Sequence, residues 1–445
     1  MNKLSKKDMA LVSLMLFSLF FGAGNLIFPP FLGQAAGKNA WVAMAGFFIT
    51  AVGFPVLGVV AVAKCGGLRN LAARVNNKFA VVFTVLIYLS IGPCLGIPRA
   101  GSLPFEMAVS PYLPNGFSVG TARFMYTLVF FAVAFWLASS PSKLVDRLGK
   151  VLTPMLLVLI ALLFVSSLFN PVGSYGQATG NYVNSAFTQG FLDGYQTMDT
   201  IAALNFGIVI AVAVKSRGVN DNKTVVSSSI KAGFGAGTLL IVIYSILCHL
   251  GASSGLRFKM TENGAQTLTN VTTYIFGKPG AILLAAIFTL ACLTTSVGLI
   301  TSCSEYFSSV SRLSYKKWTV ILTLWSMGLA NMGLTKILAV SVPVLTAIYP
   351  VAIMLIVLSL FDKYLKNTTY VYKMTILFTG LVSVVDALNQ TNIKLGFVTN
   401  LVSKLPLFSN GLCWIVPAVV GALLGLGLEM VMTKKKAQQA AVSME

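Results

Sequence analysis

A chain segment surrounded by lipid must satisfy every backbone N–H and C=O within itself, so a sequence built from long apolar runs has essentially one choice, a bundle of spanning helices. This chain has twelve such runs, near 9–36, 40–63, 79–98, 118–138, 151–169, 187–214, 230–252, 275–303, 317–333, 337–361, 371–390 and 411–433, each bounded by charge, Pro or Gly. Composition agrees: 56% of residues are hydrophobic and 10% charged, far from the roughly 25% charged residues of a soluble domain. At about 20 residues per crossing, twelve crossings leave no room for a soluble catalytic domain. The net charge of +20 is spread in short clusters between apolar runs, which argues for orientation in a bilayer and against nucleic acid. Six single cysteines, without a CxxC spacing, read as packing residues. The first run is too long for a signal-peptide core and is expected to stay as a helix.

Lys and Arg accumulate in short cytoplasmic loops. With the N-terminus inside, 23 of the 32 basic residues fall on cytoplasmic segments, among them Lys3, Lys363, Lys366 and Lys434 to Lys436, while nine, including Lys394, fall outside. That alternation predicts an all-α, multi-pass protein of about twelve helices with both termini cytoplasmic.

Gly and Pro clustered at mid-membrane depth mark either closely packed helices or an unwound segment lining a cavity. The first run holds Phe20-Phe21-Gly22-Ala23-Gly24-Asn25 and the sixth holds Asp199-Thr200-Ile201-Ala202-Ala203-Leu204-Asn205-Phe206-Gly207. Two interrupted helices five spans apart are what an inverted repeat of five helices each would bring to one central site. The expected organisation is one transmembrane domain over 1–445, with repeats over 9–169 and 187–361 and two additional helices over 371–433. Freed N–H groups at a half-helix start attract a carboxylate, and freed C=O groups attract sodium or an ammonium group. A zwitterionic amino acid suits both, and the apolar flanks favour an apolar side chain. On the eighth run, Ala291, Thr294 and Thr295 share one helical face. Their oxygens suit a hard cation, although Thr in a membrane helix also bonds its own preceding turn.

The stretch Met15-Leu16-Phe17-Ser18-Leu19-Phe20-Phe21-Gly22-Ala23-Gly24-Asn25-Leu26-Ile27-Phe28-Pro29-Pro30 resembles the opening of the branched-chain amino acid carrier family BrnQ. Ile91-Gly92-Pro93-Cys94-Leu95-Gly96-Ile97-Pro98-Arg99 and Ser102-Leu103-Pro104-Phe105-Glu106 resemble it too. The resemblance implies sodium-coupled uptake of leucine, isoleucine and valine across the bacterial inner membrane on a LeuT-like 5+5 fold. It also implies that the backbone of Gly22, Ala23, Gly24 and Asn25 holds the carboxylate and that Gly207 matches the glycine of the broken sixth helix. Ser18 and Phe21 would offer carbonyls, and Ala291, Thr294 and Thr295 their oxygens, to one sodium ion. A second sodium is not expected, because the sixth-helix Thr of two-sodium symporters is Ala203 here and their seventh-helix Asn is absent.

Further candidates are Tyr88, Ala203, Leu204, Asn205 and Phe206 for substrate contact. Asp199 has either a cation or proton role or one in capping and pairing. Arg99 and Glu106 are placed either to pair as an outer gate or to form a surface pair. His249 is expected at headgroup level. No nucleophile, His cluster or carboxylate pair points to an enzyme. Lipid is the surrounding partner, and the oligomeric state is not readable. The remaining alternatives are a proton-coupled carrier of another small neutral amino acid, and a channel or non-transporting receptor.

Overall fold

The computed structural model describes residues 4–114, 116–140, 143, 145–362, 369–391, 393 and 396–442. Lys3, Lys363, Lys366 and Lys394, used above to assign orientation, lie outside the described residues, as do the side chains of Lys434 to Lys436. Among the described residues every regular element is helical. The first span is two pieces, α1 (Lys6–Phe20) and α2 (Ala23–Ala36). A π-helical turn at Ile49–Gly53 joins α3 (Ala40–Phe48) to α4 (Phe54–Cys65), and the short α5 (Leu68–Ala73) follows. A second π-helical turn, Ser90–Cys94, where Gly92 is non-helical and Pro93 lacks an N–H, leads α6 (Asn77–Leu89) into α7 (Gly96–Ala108). Then come α8 (Val119–Ala138), α9 (Thr153–Phe169), α10 (Tyr182–Tyr195), α11 (Asp199–Lys215) and α12 (Asn222–Ser254). The remainder is α13 (Gly264–Phe276), α14 (Lys278–Val310), α15 (Tyr315–Ala330), α16 (Leu334–Phe361), α17 (Thr369–Asn389), α18 (Phe397–Val402) and α19 (Ile415–Val442).

Ten helical stretches among the described residues are long and apolar enough to cross a membrane, against the twelve expected. The difference has two sources. Most of the first two expected spans lies in one 43-residue stretch, Ala23–Cys65, which as a straight helix would run about 65 Å, twice the hydrocarbon thickness. Gly37, at φ +49°, ends α2 within that stretch. The expected ninth span is α15, whose 16 residues fall short of the roughly 20 a crossing needs. Helices that were not expected include the short α5 and α18 and the longer α7 and α13; the longer two carry Pro, charge or a run of Thr and Gln, which masks them in a search for apolar stretches.

The chain divides into two compact units, Met1–Ala63 with Tyr88–Ser341, and Lys64–Ile87 with Val342–Glu445. In the second unit α17 packs along α19, and the Arg74 guanidinium pairs with Asp362, which also accepts the Tyr372 hydroxyl at 2.8 Å. In the first unit, helices approach through glycine. A Cβ on Gly46 would lie 2.0 Å from the Phe187 carbonyl oxygen, and one on Gly190 would lie 1.9 Å from that of Ala43, so α3 and α10 meet backbone to backbone. Gly33 and Gly251 do the same for α2 and α12, where a Cβ would come within 2.1 and 2.0 Å of the Cys248 and Pro30 carbonyl oxygens. Lipid is as apolar as leucine, so close van der Waals contact has to supply the cohesion that water would otherwise drive. Capping fixes the ends of the helices. The Asp221 carboxylate accepts the Thr224 N–H at 2.9 Å and its hydroxyl at 2.7 Å, which starts α12 and holds that carboxyl below its usual range.

Candidate functional site

The first span breaks where the sequence predicts. α1 ends at Phe20, Phe21 and Gly22 leave helical geometry, and α2 restarts at Ala23. Glycine is required there by close approach. A Cβ on Gly22 would lie 2.7 Å from Thr295 Oγ1, and one on Gly24 would lie 2.2 Å from Arg99 Nη2 and 3.0 Å from Thr197 Cα. Asn25 Oδ1 accepts the Gly22 N–H at 3.0 Å across the break. The first N–H groups of α2 have no acceptor within their own helix.

The sixth span also breaks, but not where the sequence places it. α10 ends at Tyr195, Met198 stands at φ +68° in the left-handed region, and α11 begins at Asp199. The expected break at Asn205 to Gly207 lies about two turns further on, inside the continuous helix α11. Those residues serve packing instead. Asn205 is bonded through Oδ1 to the Ser302 hydroxyl, which also donates to the Asn205 backbone oxygen at 3.0 Å. A Cβ on Gly207 would lie 2.2 Å from Val62 Cγ1, so the glycine lets α11 approach α4. Phe206 meets Phe20 edge-on at 5.5 Å, and Ala203 and Leu204 are buried.

The two breaks share a cavity of about 30 Å³. Leu19, Phe20, Ile91, Ala202 and Leu299 give it apolar walls, Gly22 to Asn25 and Thr197 to Asp199 give it backbone, and Arg99 and Thr295 reach it from α7 and α14. Tyr88 does not line it. That residue is buried in a stack on Tyr306 with ring centroids 4.0 Å apart, and the third span reaches the cavity through Ile91 and α7 instead. Of the expected substrate residues, Gly22, Ala23, Gly24 and Asn25 line the cavity, whereas Ala203, Leu204, Asn205, Phe206 and Gly207 do not.

Asp199 is buried at the cavity wall. Its Oδ2 accepts Asn25 Nδ2 at 2.6 Å and the Tyr244 hydroxyl at 2.9 Å, and Asn25 Nδ2 also bonds Tyr244, so one network ties α2, α11 and α12 together at the breaks. Arg99, 2% exposed, donates from Nη2 to the Gln196 backbone oxygen at 2.9 Å and lies over the Phe28 ring. The expected Arg99–Glu106 pair does not form. Glu106 pairs instead with Arg123, in the first turns of α8, at 2.9 Å, while Arg99 turns to the Gln196 carbonyl at the second break.

Four of the five expected cation ligands fall into two hydrogen-bonded pairs, with Phe21 outside both. Thr295 Oγ1 donates to the Ser18 carbonyl at 3.2 Å, joining α14 to α1, and Thr294 Oγ1 donates to the Ala291 carbonyl at 2.9 Å within α14. Ser18, Phe21, Ala291 and Thr294 are fully buried. All are neutral oxygen donors of the kind a hard cation takes. Residues not anticipated at the site are Leu19, Ile91, Gly96, Ala100, Thr197, Met198 and Leu299 on the cavity wall, and Tyr244, which bonds Asp199 there. A phenol in the middle of the apolar seventh run was the available signal for Tyr244, since a buried hydroxyl needs a partner.

Comparison with known proteins bears on this geometry. Residues 5–432 match a family described as branched-chain amino acid transport protein. The branched-chain amino acid permease BraB of Bacillus subtilis (strain 168) is 44% identical over 432 residues, covering 96% of this chain and 97% of that protein. Among solved structures, MhsT in complex with L-phenylalanine superposes with a TM-score of 0.57 at 16% identity, covering 96% of this chain and 99% of that one. Mhp1, a nucleobase-cation-symport-1 family transporter in a closed conformation with bromovinylhydantoin bound, gives 0.60 at 13%, covering 96% and 93%. The fold is the one these two share, the LeuT fold with helices one and six broken.

Proposed function

The chain belongs to the branched-chain amino acid transport protein family, and from that premise we propose that it is a sodium-coupled symporter. It imports leucine, isoleucine or valine across the bacterial cytoplasmic membrane by alternating access, with both termini in the cytoplasm. The observation that carries this reading is the single cavity formed where two helix breaks meet.

The start of α2 presents N–H groups and the positive end of a helix dipole, which suit the substrate carboxylate. Leu19, Phe20, Ile91, Ala202 and Leu299 offer a branched side chain apolar surface. At about 30 Å³ the cavity holds about two waters, far less than leucine requires, so substrate enters only when the walls part. The repeats proposed over 9–169 and 187–361 supply that movement, the broken helices shifting against α14, and the helices over 371–433 stand outside the repeats. Exposed apolar side chains such as Trp136, Val158 and Phe169 are suited to face lipid.

Sodium is a co-substrate in this reading. The carbonyls of Ser18, Phe21 and Ala291 and the hydroxyls of Thr294 and Thr295 would hold it. Coupling has a physical route, because Thr295 both bonds Ser18 and lines the cavity. A cation that rearranges the Ser18–Thr295 contact therefore changes the substrate's wall.

The test is labelled leucine uptake into proteoliposomes with sodium and proton gradients imposed separately, for the wild type and for Thr294→Ala with Thr295→Ala. Accumulation should require sodium, compete with isoleucine and valine, and need at least about tenfold more sodium in the double variant, since each lost ligand costs about 1 kcal/mol or more. Accumulation driven by protons alone would sink sodium coupling. No accumulation under either gradient would sink the carrier reading.

A further inference from the structure

The cavity has a basic and an acidic side chain on its wall, Arg99 from α7 and Asp199 at the start of α11, each 2% exposed. Two buried charges are poor stabilisers. Desolvating them costs several kcal/mol each, and an apolar pair of similar volume often gives a more stable protein. Each also bonds at the breaks, Arg99 Nη2 donating to Gln196 O at 2.9 Å and Asp199 Oδ2 accepting Asn25 Nδ2 at 2.6 Å, but neutral groups span both breaks too, the Asn25 amide at the first and the Thr197 hydroxyl, donating to Gly194 O at 2.8 Å, at the second.

Arg99 stands over the first turn of α2, where its Nη2 is 2.2 Å from the position of a Cβ on Gly24. A carboxylate at the start of that helix is therefore within reach of a guanidinium as well as the backbone N–H groups, a combination suited to paired, charge-assisted hydrogen bonds. Asp199 faces the same small space from the other break, its Oδ2 fixed by Asn25 and Tyr244. The apolar walls read only the side chain. They have no means of separating leucine from 4-methylpentanoate, which lacks the ammonium group, or from 3-methylbutylamine, which lacks the carboxylate.

We propose that Arg99 and Asp199 form a zwitterion filter, Asp199 receiving the substrate's α-ammonium and Arg99 sharing its α-carboxylate with the start of α2. The filter rests on the reading that this cavity takes an α-amino acid. With leucine bound, each buried charge has a partner and the site stays neutral overall. With either analogue, one wall charge keeps no substrate partner and the site gains a net charge, the circumstance in which sites built for polar groups reject a near-isostere strongly.

The test is equilibrium binding to the purified full-length protein in sodium, with leucine, 4-methylpentanoate and 3-methylbutylamine, for the wild type, Asp199→Asn and Arg99→Gln. The wild type should bind leucine at least ~100-fold more tightly than either analogue. Asp199→Asn should lose at least ~100-fold in leucine affinity while binding 4-methylpentanoate no more weakly than the wild type does. Arg99→Gln should do the same with 3-methylbutylamine. The wild-type series needs no variant to fold, and on its own it overturns the filter if both analogues bind within about tenfold of leucine. A variant that weakens leucine and its matched analogue alike overturns it as well, leaving a structural role. A shift in sodium requirement in Asp199→Asn with the leucine preference intact overturns it by placing Asp199 among the cation ligands. Absence of leucine binding to the wild type overturns the amino-acid reading of the cavity itself, and the filter with it.

Discussion

Gly24 shows how a single missing methyl group defines the site. Its backbone is helical, so no special dihedral requires glycine; the need comes from Arg99 Nη2, Thr197 Cα and Gln196 O, which lie 2.2, 3.0 and 3.1 Å from where a Cβ would stand. Arg99 can swing aside, but the Thr197 and Gln196 backbone holds the second break and cannot. Gly24→Val should therefore push the breaks apart and remove substrate contacts to the start of α2. Two lost charge-assisted hydrogen bonds amount to about 3 kcal/mol or more, roughly 100-fold in leucine affinity. Gly427 in α19 is the control, because nothing lies within 4 Å of its Cβ position, and Gly427→Val should leave leucine binding unchanged. Both are read by leucine titration of protein that elutes as a single species. Normal leucine affinity in Gly24→Val would move the substrate site away from the first break.

At the scale of elements, the two breaks differed in how much the sequence revealed. The first was legible because Gly22, Gly24 and Asn25 stand together in an otherwise apolar run, and all three are used at the break itself. The second was misplaced because the same signal, Asn205 with Gly207, serves a helix crossing against Val62 and Ser302. The true break passes through Gln196, Thr197 and Met198. A left-handed methionine costs about 1 kcal/mol or more, so no propensity rule looks for it there; tertiary contacts such as Arg99 to Gln196 O hold it in place. The crossing makes a prediction of its own. Gly207→Ala should destabilise the protein by about 1 to 3 kcal/mol through overpacking, and Val62→Ala in the same chain should restore much of the loss. Thermal unfolding in detergent measures both. A double variant no more stable than Gly207→Ala would show that Gly207 has another role and reopen a ligand site near Asn205.

For the whole molecule, orientation in the membrane follows from charge. If the 23 basic residues assigned to the inside do face the cytoplasm, α1 and α11 are the inner halves of their spans, and α2 and α10 the outer halves. The carboxylate then meets the start of an outer half-helix, and substrate arriving from outside reaches Arg99 and α2 before it meets the inner halves. Reversing the chain in the membrane would keep every contact described here, and a symporter driven by an inward sodium gradient would still import, so orientation needs a test independent of uptake. Asn222 is exposed at the start of α12, on the side assigned to the cytoplasm, and Leu256 is exposed just after that helix ends, next to Arg257, on the side assigned to the outside. Four native cysteines are buried and only Cys65 and Cys94 are half-exposed, so replacing those two with Ser gives a quiet background. In intact cells a membrane-impermeant maleimide should label Leu256→Cys and spare Asn222→Cys, and permeabilisation should make Asn222→Cys label as well. The opposite pattern would overturn the cytoplasmic placement of the termini and exchange the inner and outer halves of the broken helices, while leaving the cavity and the sodium-driven direction of transport in place.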